Sequence, residues 1–397
     1  MRRKIIQLAI TLIGTALLCL GAVYGERQMP APEQKEDSGP KDAGKDQKDD
    51  EIIPEGDALA MIEQEEYRST EGLSVPAGTR ISVLMRAGGS EFAKAFEKGC
   101  RQAGEELNEA LSYKGKDKIT ISCNAPTKAH DISGQGAILD EELNLYPDVM
   151  AVSLVDAGSC EVQFDLALEN GVTIIGFDSP PGYKKIRTIV GTDNAKASAE
   201  AADHLIAGMA SAGKQESLSA EATSPSILVF SYESTSVNTK TREKAFSKEI
   251  EKGKPRYKID EIYHLSDLEI RQREVAEALS AASEDGTAVE PASVRQEDVI
   301  AYLFDKYPNV GGVFITDEET AKVVLPVMME KEIRAKVVAF GNYEDLSYHT
   351  LDQCLVGAVQ ENAYGMGYAT TVASLRLVAG LDNPAKVNTG YIWMPKE

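Results

Sequence analysis

The chain has 397 residues, 43% hydrophobic and 26% charged, an ordinary globular balance with room for two or three domains. Its formal net charge of −21 repels phosphate backbones and excludes nucleic acid as a natural partner. The cysteines, Cys19, Cys100, Cys123, Cys160 and Cys354, show no CxxC spacing. Both an oxidised Cys123–Cys160 pair and buried free thiols stay open, so cysteine usage does not set the redox compartment.

In chain order, Met1-Arg2-Arg3-Lys4 is a basic leader before an apolar run from Ile5 to Tyr24, interrupted by Gln7, Thr11 and Thr15. Residues 1–25 therefore read as a signal peptide or an uncleaved membrane anchor, with residues 2–4 cytoplasmic and the remainder exported. Val23 and Gly25 are small enough for cleavage before Glu26. Cys19 adds a lipidation reading, although Leu18 precedes it where such sites take Gly, Ala or Ser. From Glu26 to Gly78 the mix of Pro, Gly, Asp and Lys has no apolar period, which predicts a disordered acidic tether with a short helix near Ala58–Tyr67.

From Thr79 short apolar runs alternate with amphipathic stretches. Strands are expected at Ile81–Met85, Ile119–Cys123, Met150–Val155, Thr173–Phe177 and Thr188–Val190. Helices are expected at Glu91–Leu107, Ile132–Asn144, Cys160–Asn170 and Ala195–Ala210. The alternation then restarts. Strands follow at Ser226–Ser231, Lys258–His264, Val310–Ile315, Lys336–Phe340 and Cys354–Val359. The helices between and after them are Thr239–Lys252, Leu268–Ser283, Asp298–Lys306, Glu318–Lys331 and Gly367–Val378, with a polar insert at Glu284–Arg295. Strand–helix alternation predicts right-handed βαβ units and parallel sheets, here twice over. The fold class is therefore α/β, two similar doubly wound lobes. Ligands of such sheets bind beyond the carboxyl ends of the strands, which places a site between the lobes.

Several motifs in order carry a family likeness. They are "ISVLMRAGGSEFAKAFEKGCRQAGEELN", "ILDEELNLYPDVMAVSL", "ALENGVTIIGFDSP", "IVGTDNAKASAEAADHL", "TREKAF", "YPNVGGVFITDEETAKVVLPVMMEK", "VVAFGN" and "AVQENAYGMGYATTVASLRLVAG". Over about Thr79–Lys396 the chain resembles the periplasmic sugar-binding proteins of the ribose/galactose type, the type I periplasmic binding proteins. The resemblance implies a three-strand hinge near Gly191–Thr192, Glu361–Asn362 and Asp382–Lys386. It implies an N-terminal lobe of 79–192 with 362–384 and a C-terminal lobe of 193–361 with 385–397, closing on a ligand. It also implies a carbohydrate or polyol ligand, delivery to an ABC permease or presentation to a membrane sensor, and no cofactor. Repressors of this fold carry a helix-turn-helix where this chain has its apolar leader, so that reading fails.

The resemblance places Asp178, Arg242 and Phe92 at ligand-binding positions, and a carboxylate, a guanidinium and an aromatic ring suit a sugar's hydroxyls and flat face. It departs from the ribose pattern at Gly89, Glu91, Ser179, Asp317, Gly341 and Glu361. Glu91, Asp317 and Glu361 add carboxylates balanced by Arg242 and Arg86. That balance is expected either to select a ligand with positive charge or many donor hydroxyls, or to leave some of these residues facing solvent. His130, His204, His264 and His349 are isolated. HExxH, GxSxG and a complete dinucleotide loop are missing, and Gly134-Gln135-Gly136 lacks its third glycine. The sequence thus reads as a binding protein and not an enzyme.

Overall fold

The computed structural model describes residues 53–215, 225–252, 256–283 and 287–396. Residues 1–52, with the leader and half of the expected tether, lie outside that set. Among the described residues no helix is long and apolar enough to cross a membrane.

The first lobe begins with helix α1 (Glu55–Ala60), followed by β1 (Arg80–Leu84), α2 (Glu91–Ala110), β2 (Thr120–Asn124) and α3 (Ile132–Leu143). It continues with β3 (Val149–Val152), α4 (Glu161–Glu169), β4 (Thr173–Phe177) and β5 (Ile189–Gly191). The second lobe holds α5 (Asn194–Gln215), β6 (Ser226–Ser231), α6 (Val237–Lys252), β7 (Lys258–His264), α7 (Leu268–Ala282) and α8 (Gln296–Lys306). After it come β8 (Val310–Ile315), α9 (Glu318–Glu330), β9 (Lys336–Phe340), α10 (Tyr343–Tyr348) and β10 (Leu355–Glu361). The chain then returns to the first lobe as α11 (Ala363–Val378) and β11 (Lys386–Asn388), and ends in the second as β12 (Tyr391–Pro395).

The strand order is β11-β5-β4-β3-β1-β2 in one sheet and β12-β10-β9-β8-β6-β7 in the other. Every pairing is parallel except β10 with β12. Strands such as β1 and β9 are buried over all but their first residue, as expected where helices cover both faces. Polar residues start the helices by accepting from their free backbone N–H groups: Ser90 for α2, Asp131 for α3, Asn342 for α10 and Asn362 for α11. Helices α2 and α11 cross with their backbones in contact. A Cβ on Gly99 would overlap the Tyr364 carbonyl, and one on Gly367 the Phe96 carbonyl, so only glycine fits at either position.

Two expectations are corrected. The tether does not extend to Gly78: Ala58, Ile62, Tyr67 and Val75 are buried, the last three in the core beneath α2 and α11. These apolar residues sit in a single helical turn, a 3-10 turn and extended chain, so they show no period along the sequence. The third crossing between lobes is at Thr389–Gly390, not Asp382–Lys386, because Lys386–Asn388 pairs with β5 of the first lobe. Strand β12 then pairs with β10 in the second lobe. Each of these strands is too short to show an alternation. The four described cysteines are free thiols. Cys123 lies against the core that holds Cys100, whereas Cys160 packs on a different cluster.

Candidate functional site

The carboxyl ends of both sheets face a common cleft. Asp178, directly after β4, holds a left-handed backbone angle, φ of 46°. Asp is among the few non-glycine residues that tolerate this region, and such angles persist where surrounding structure enforces them. Its carboxylate accepts from Ser153 Oγ at 3.2 Å and, across the lobes, from Asn238 Nδ2 at 2.8 Å. Burial, and then the nearby Glu361 carboxylate, push its pKa up.

Arg242 stands one helical turn after Asn238 on α6 and is 5% exposed. Its Nε donates to Asn194 Oδ1 and its Nη1 to the Thr316 carbonyl, both at 2.7 Å. Its Nη2 lies 2.8 Å from Glu361 Oε2, and the guanidinium stacks 3.8 Å over Phe340. Asn194 Nδ2 donates to Asn238 Oδ1 at 3.0 Å. A continuous polar network therefore joins Ser153, Asp178, Asn238, Asn194, Arg242 and Glu361 through both lobes.

A second bridge lies nearby. Arg86, after β1, reaches Glu233, after β6, with Nη2 2.8 Å from Oε1. Beside it His130 of the first lobe stacks on Tyr232 of the second, with an interplanar angle of 5°. Burial and then the Arg86 charge lower the His130 pKa to about 4, so the ring is neutral near pH 7. Burial is also the main cause of the raised Glu233 pKa. Several buried atoms here lack a hydrogen-bond partner among the described residues: His130 Nε2, Arg86 Nε and Glu361 Oε1, while His130 Nδ1 and Glu233 Oε2 have only each other, at 3.5 Å. Donors and acceptors with spare capacity thus come from both lobes, which suits a ligand that both donates and accepts.

Of the residues expected at the site, Asp178, Arg242, Glu361 and Arg86 belong to these two bridges. Glu91 does not join them: it is exposed on the first turn of α2, with its carboxylate 2.6 Å from Lys94. Phe92 is half-buried against the first-lobe core, with its ring stacked on Phe96. Asp317 caps α9 by accepting from the Thr320 backbone N–H at 2.8 Å, and also accepts from two hydroxyls and the Tyr232 N–H. The sequence reading missed Glu233, Tyr232, His130, Asn194, Asn238 and Ser153. The position of Tyr232 and Glu233 directly after β6 was a usable signal, since open parallel sheets bind at that end.

Two α/β lobes on three crossings, with a polar cleft between them, define a two-lobed solute-binding protein. The chain belongs to the family of periplasmic binding protein domains, whose model matches residues 81–382. The family consists of substrate-binding proteins, not enzymes, that work outside the cytoplasm. Among solved structures the chain is similar to the periplasmic component of an ABC-type sugar transport system from Hahella chejuensis. That match has a TM-score of 0.62 at 18% identity, covering 80% of this chain and 100% of the other. It is also similar to a carbohydrate transporter solute-binding protein from Agrobacterium radiobacter in complex with D-arabinose, with a TM-score of 0.63 at 19% identity, covering 81% and 95%. A third is an ABC transporter solute-binding protein from Agrobacterium vitis with bound D-fucose, with a TM-score of 0.61 at 18% identity, covering 80% and 95%. At these identities the likeness carries the fold. No curated protein matches the chain.

Proposed function

We propose that the cleft captures a neutral sugar or related polyhydroxy molecule and that the protein delivers it to an ABC importer. One observation carries the reading: spare donors and acceptors from both lobes, on Arg86 and Glu361, flank the half-buried Asp178. Arg86 and Arg242 each already face a carboxylate, leaving Asp178 as the cleft carboxylate without a cation within ion-pair distance. Two arginines thus face three carboxylates, and burial, by favouring the uncharged form of Asp178, suits that third carboxyl to hydroxyls more than to a cationic ligand. In this reading Asp178 accepts from sugar hydroxyls, while Arg86, Arg242, Glu233 and Glu361 exchange part of their present pairing for the ligand. The bound pentose and deoxyhexose of the two Agrobacterium proteins point to the same ligand class. Residues 1–25 serve as the export segment, retained as an anchor or cleaved.

The test is a thermal-shift screen of the full chain against pentoses, hexoses, 6-deoxyhexoses, polyols and amino sugars. A ligand at a hundred times its dissociation constant adds about 2.7 kcal/mol of stability. A shift with a neutral sugar, lost in Asp178→Asn and Arg242→Ala, supports the reading. A shift with none of these compounds, or only with cationic ones, rejects it.

A further inference from the structure

The segment before β1 straps the hinge. Asn362, in the second crossing, donates from Nδ2 to the carbonyls of Ala58 and Thr389, both at 2.7 Å. Its neighbour Glu361 faces Arg242 in the cleft. The Ala58 carbonyl also lies 2.8 Å from where a Cβ on Gly365 would stand, so the segment packs on the start of α11 and none of its residues belongs to the cleft bridges. Directly before the third crossing, Asn388 donates from Nδ2 to Glu63 Oε1 at 2.7 Å and from its backbone N–H to Gln64 Oε1 at 3.1 Å. Its carbonyl accepts from the Glu63 N–H at 2.9 Å. Met61 closes over Gly390, where a Cβ would come within 3.0 Å of the Met61 carbonyl oxygen.

The strap is rooted in the first lobe. Ala58 and Ile62 are fully buried, Lys98 of α2 pairs with Glu55 at 2.9 Å, and the Tyr364 hydroxyl of α11 donates to Glu55. Its free edge faces the second lobe across a groove of about 290 Å³, lined by Met61 and Glu63 on one wall and by Lys196, Glu200, Tyr391 and Trp393 on the other. The far wall is firm, because the Tyr391 hydroxyl donates to Glu200 at 2.6 Å and Trp393 stacks on His204.

We infer that residues 58–64 are a stop that limits how far the lobes open. When two lobes rotate about shared crossings, widening the front narrows the back. The groove is the travel available before Met61 and Glu63 meet Lys196 and Glu200. By restricting the open ensemble, the strap biases the molecule toward closure.

The test measures the distance between the lobes in the full chain, held in detergent without added sugar. Dyes are attached through non-natural residues replacing Tyr146 and Tyr348, which are 75% and 81% exposed on the two lobes. Single-molecule energy transfer is compared for the parent chain, Met61→Ala and Met61→Trp. Met61→Ala empties part of the stop and is expected to shift the distribution to longer distances. Met61→Trp fills the groove and shifts it to shorter ones. Glu63→Ala, at an exposed position, gives the same readout as Met61→Ala should the bulky variant not fold. Superimposed distributions, or shifts of the opposite sign, overturn the stop. The measurement needs no sugar, so it stands or falls separately from the ligand assigned to the cleft.

Discussion

Asp178 combines a strained backbone angle with a buried carboxylate, and both features come from where β4 ends. Replacing it with Asn keeps a residue tolerant of that angle but puts an NH2 donor in place of one of the two oxygens that accept from Asn238 and Ser153. Asp178→Asn should therefore unfold at lower urea, by about 1–3 kcal/mol for the polar group left unsatisfied. His130 makes a separate pH prediction. Arg86 and the carboxylates of Glu233, Asp317 and Glu319 surround it, and its folded pKa of about 4 lies below the ordinary 6.5. Between these values the unfolded chain binds more protons, so the stability His130 contributes is present above 6.5 and is lost as pH falls toward 4. Asp178 and Glu233, whose pKa values are raised, act in the opposite sense: their contribution is lost as pH rises through the carboxylate range. Melting curves should show His130→Gln losing less stability than the parent chain between pH 6.5 and 4.5. Equal losses would remove His130 from the account.

At the scale of elements, the contact between α2 and α11 depends on Gly99 and Gly367. Gly99→Ala sets a methyl group against the Tyr364 backbone and should cost about 1–3 kcal/mol in urea unfolding. Gly136, inside α3 with nothing within 4 Å of its would-be Cβ, is the control. Gly136→Ala should be neutral or stabilising by up to about 1 kcal/mol, because alanine is the better helix former. The same elements show what a sequence makes legible. Thr173–Phe177, Ser226–Ser231, Lys258–His264, Val310–Ile315 and Lys336–Phe340 are strands with the bounds their apolar runs predict. Strands β11 and β12 were not legible, because a three-residue strand and a mixed edge strand carry no period. Nor was the site complete in the sequence. The family resemblance picked out Asp178 and Arg242, whereas Asn194 and Asn238 matter only through a side-chain contact between α5 and α6.

For the whole molecule, the side-chain contacts between the lobes include three of different chemistry: the Arg86–Glu233 ion pair, the His130–Tyr232 stack and the Asp178–Asn238 hydrogen bond. The ion pair is mostly shielded, with Glu233 at 6% and Arg86 at 24% side-chain exposure, so salt should screen it little. A double-mutant cycle with Arg86→Ala and Glu233→Ala is expected to give a coupling of about 0.5–3 kcal/mol in unfolding free energy, insensitive to added salt. A coupling near zero would mean that the lobes close without help from this pair.

The chain by itself determined two rounds of strand–helix alternation, parallel sheets and a cleft at the strand ends. Those properties follow from hydrophobic period and local order, which are written into neighbouring residues. Tertiary structure decided which carboxylates enter the cleft, where the third crossing falls and what segment 53–78 does. It drew Glu361 to Arg242, left Glu91 at the surface, and folded supposed tether onto the hinge. Each of those outcomes depends on which distant segment a residue meets, as Arg86 meets Glu233 147 positions away, and only burial and pairing across the folded chain select it.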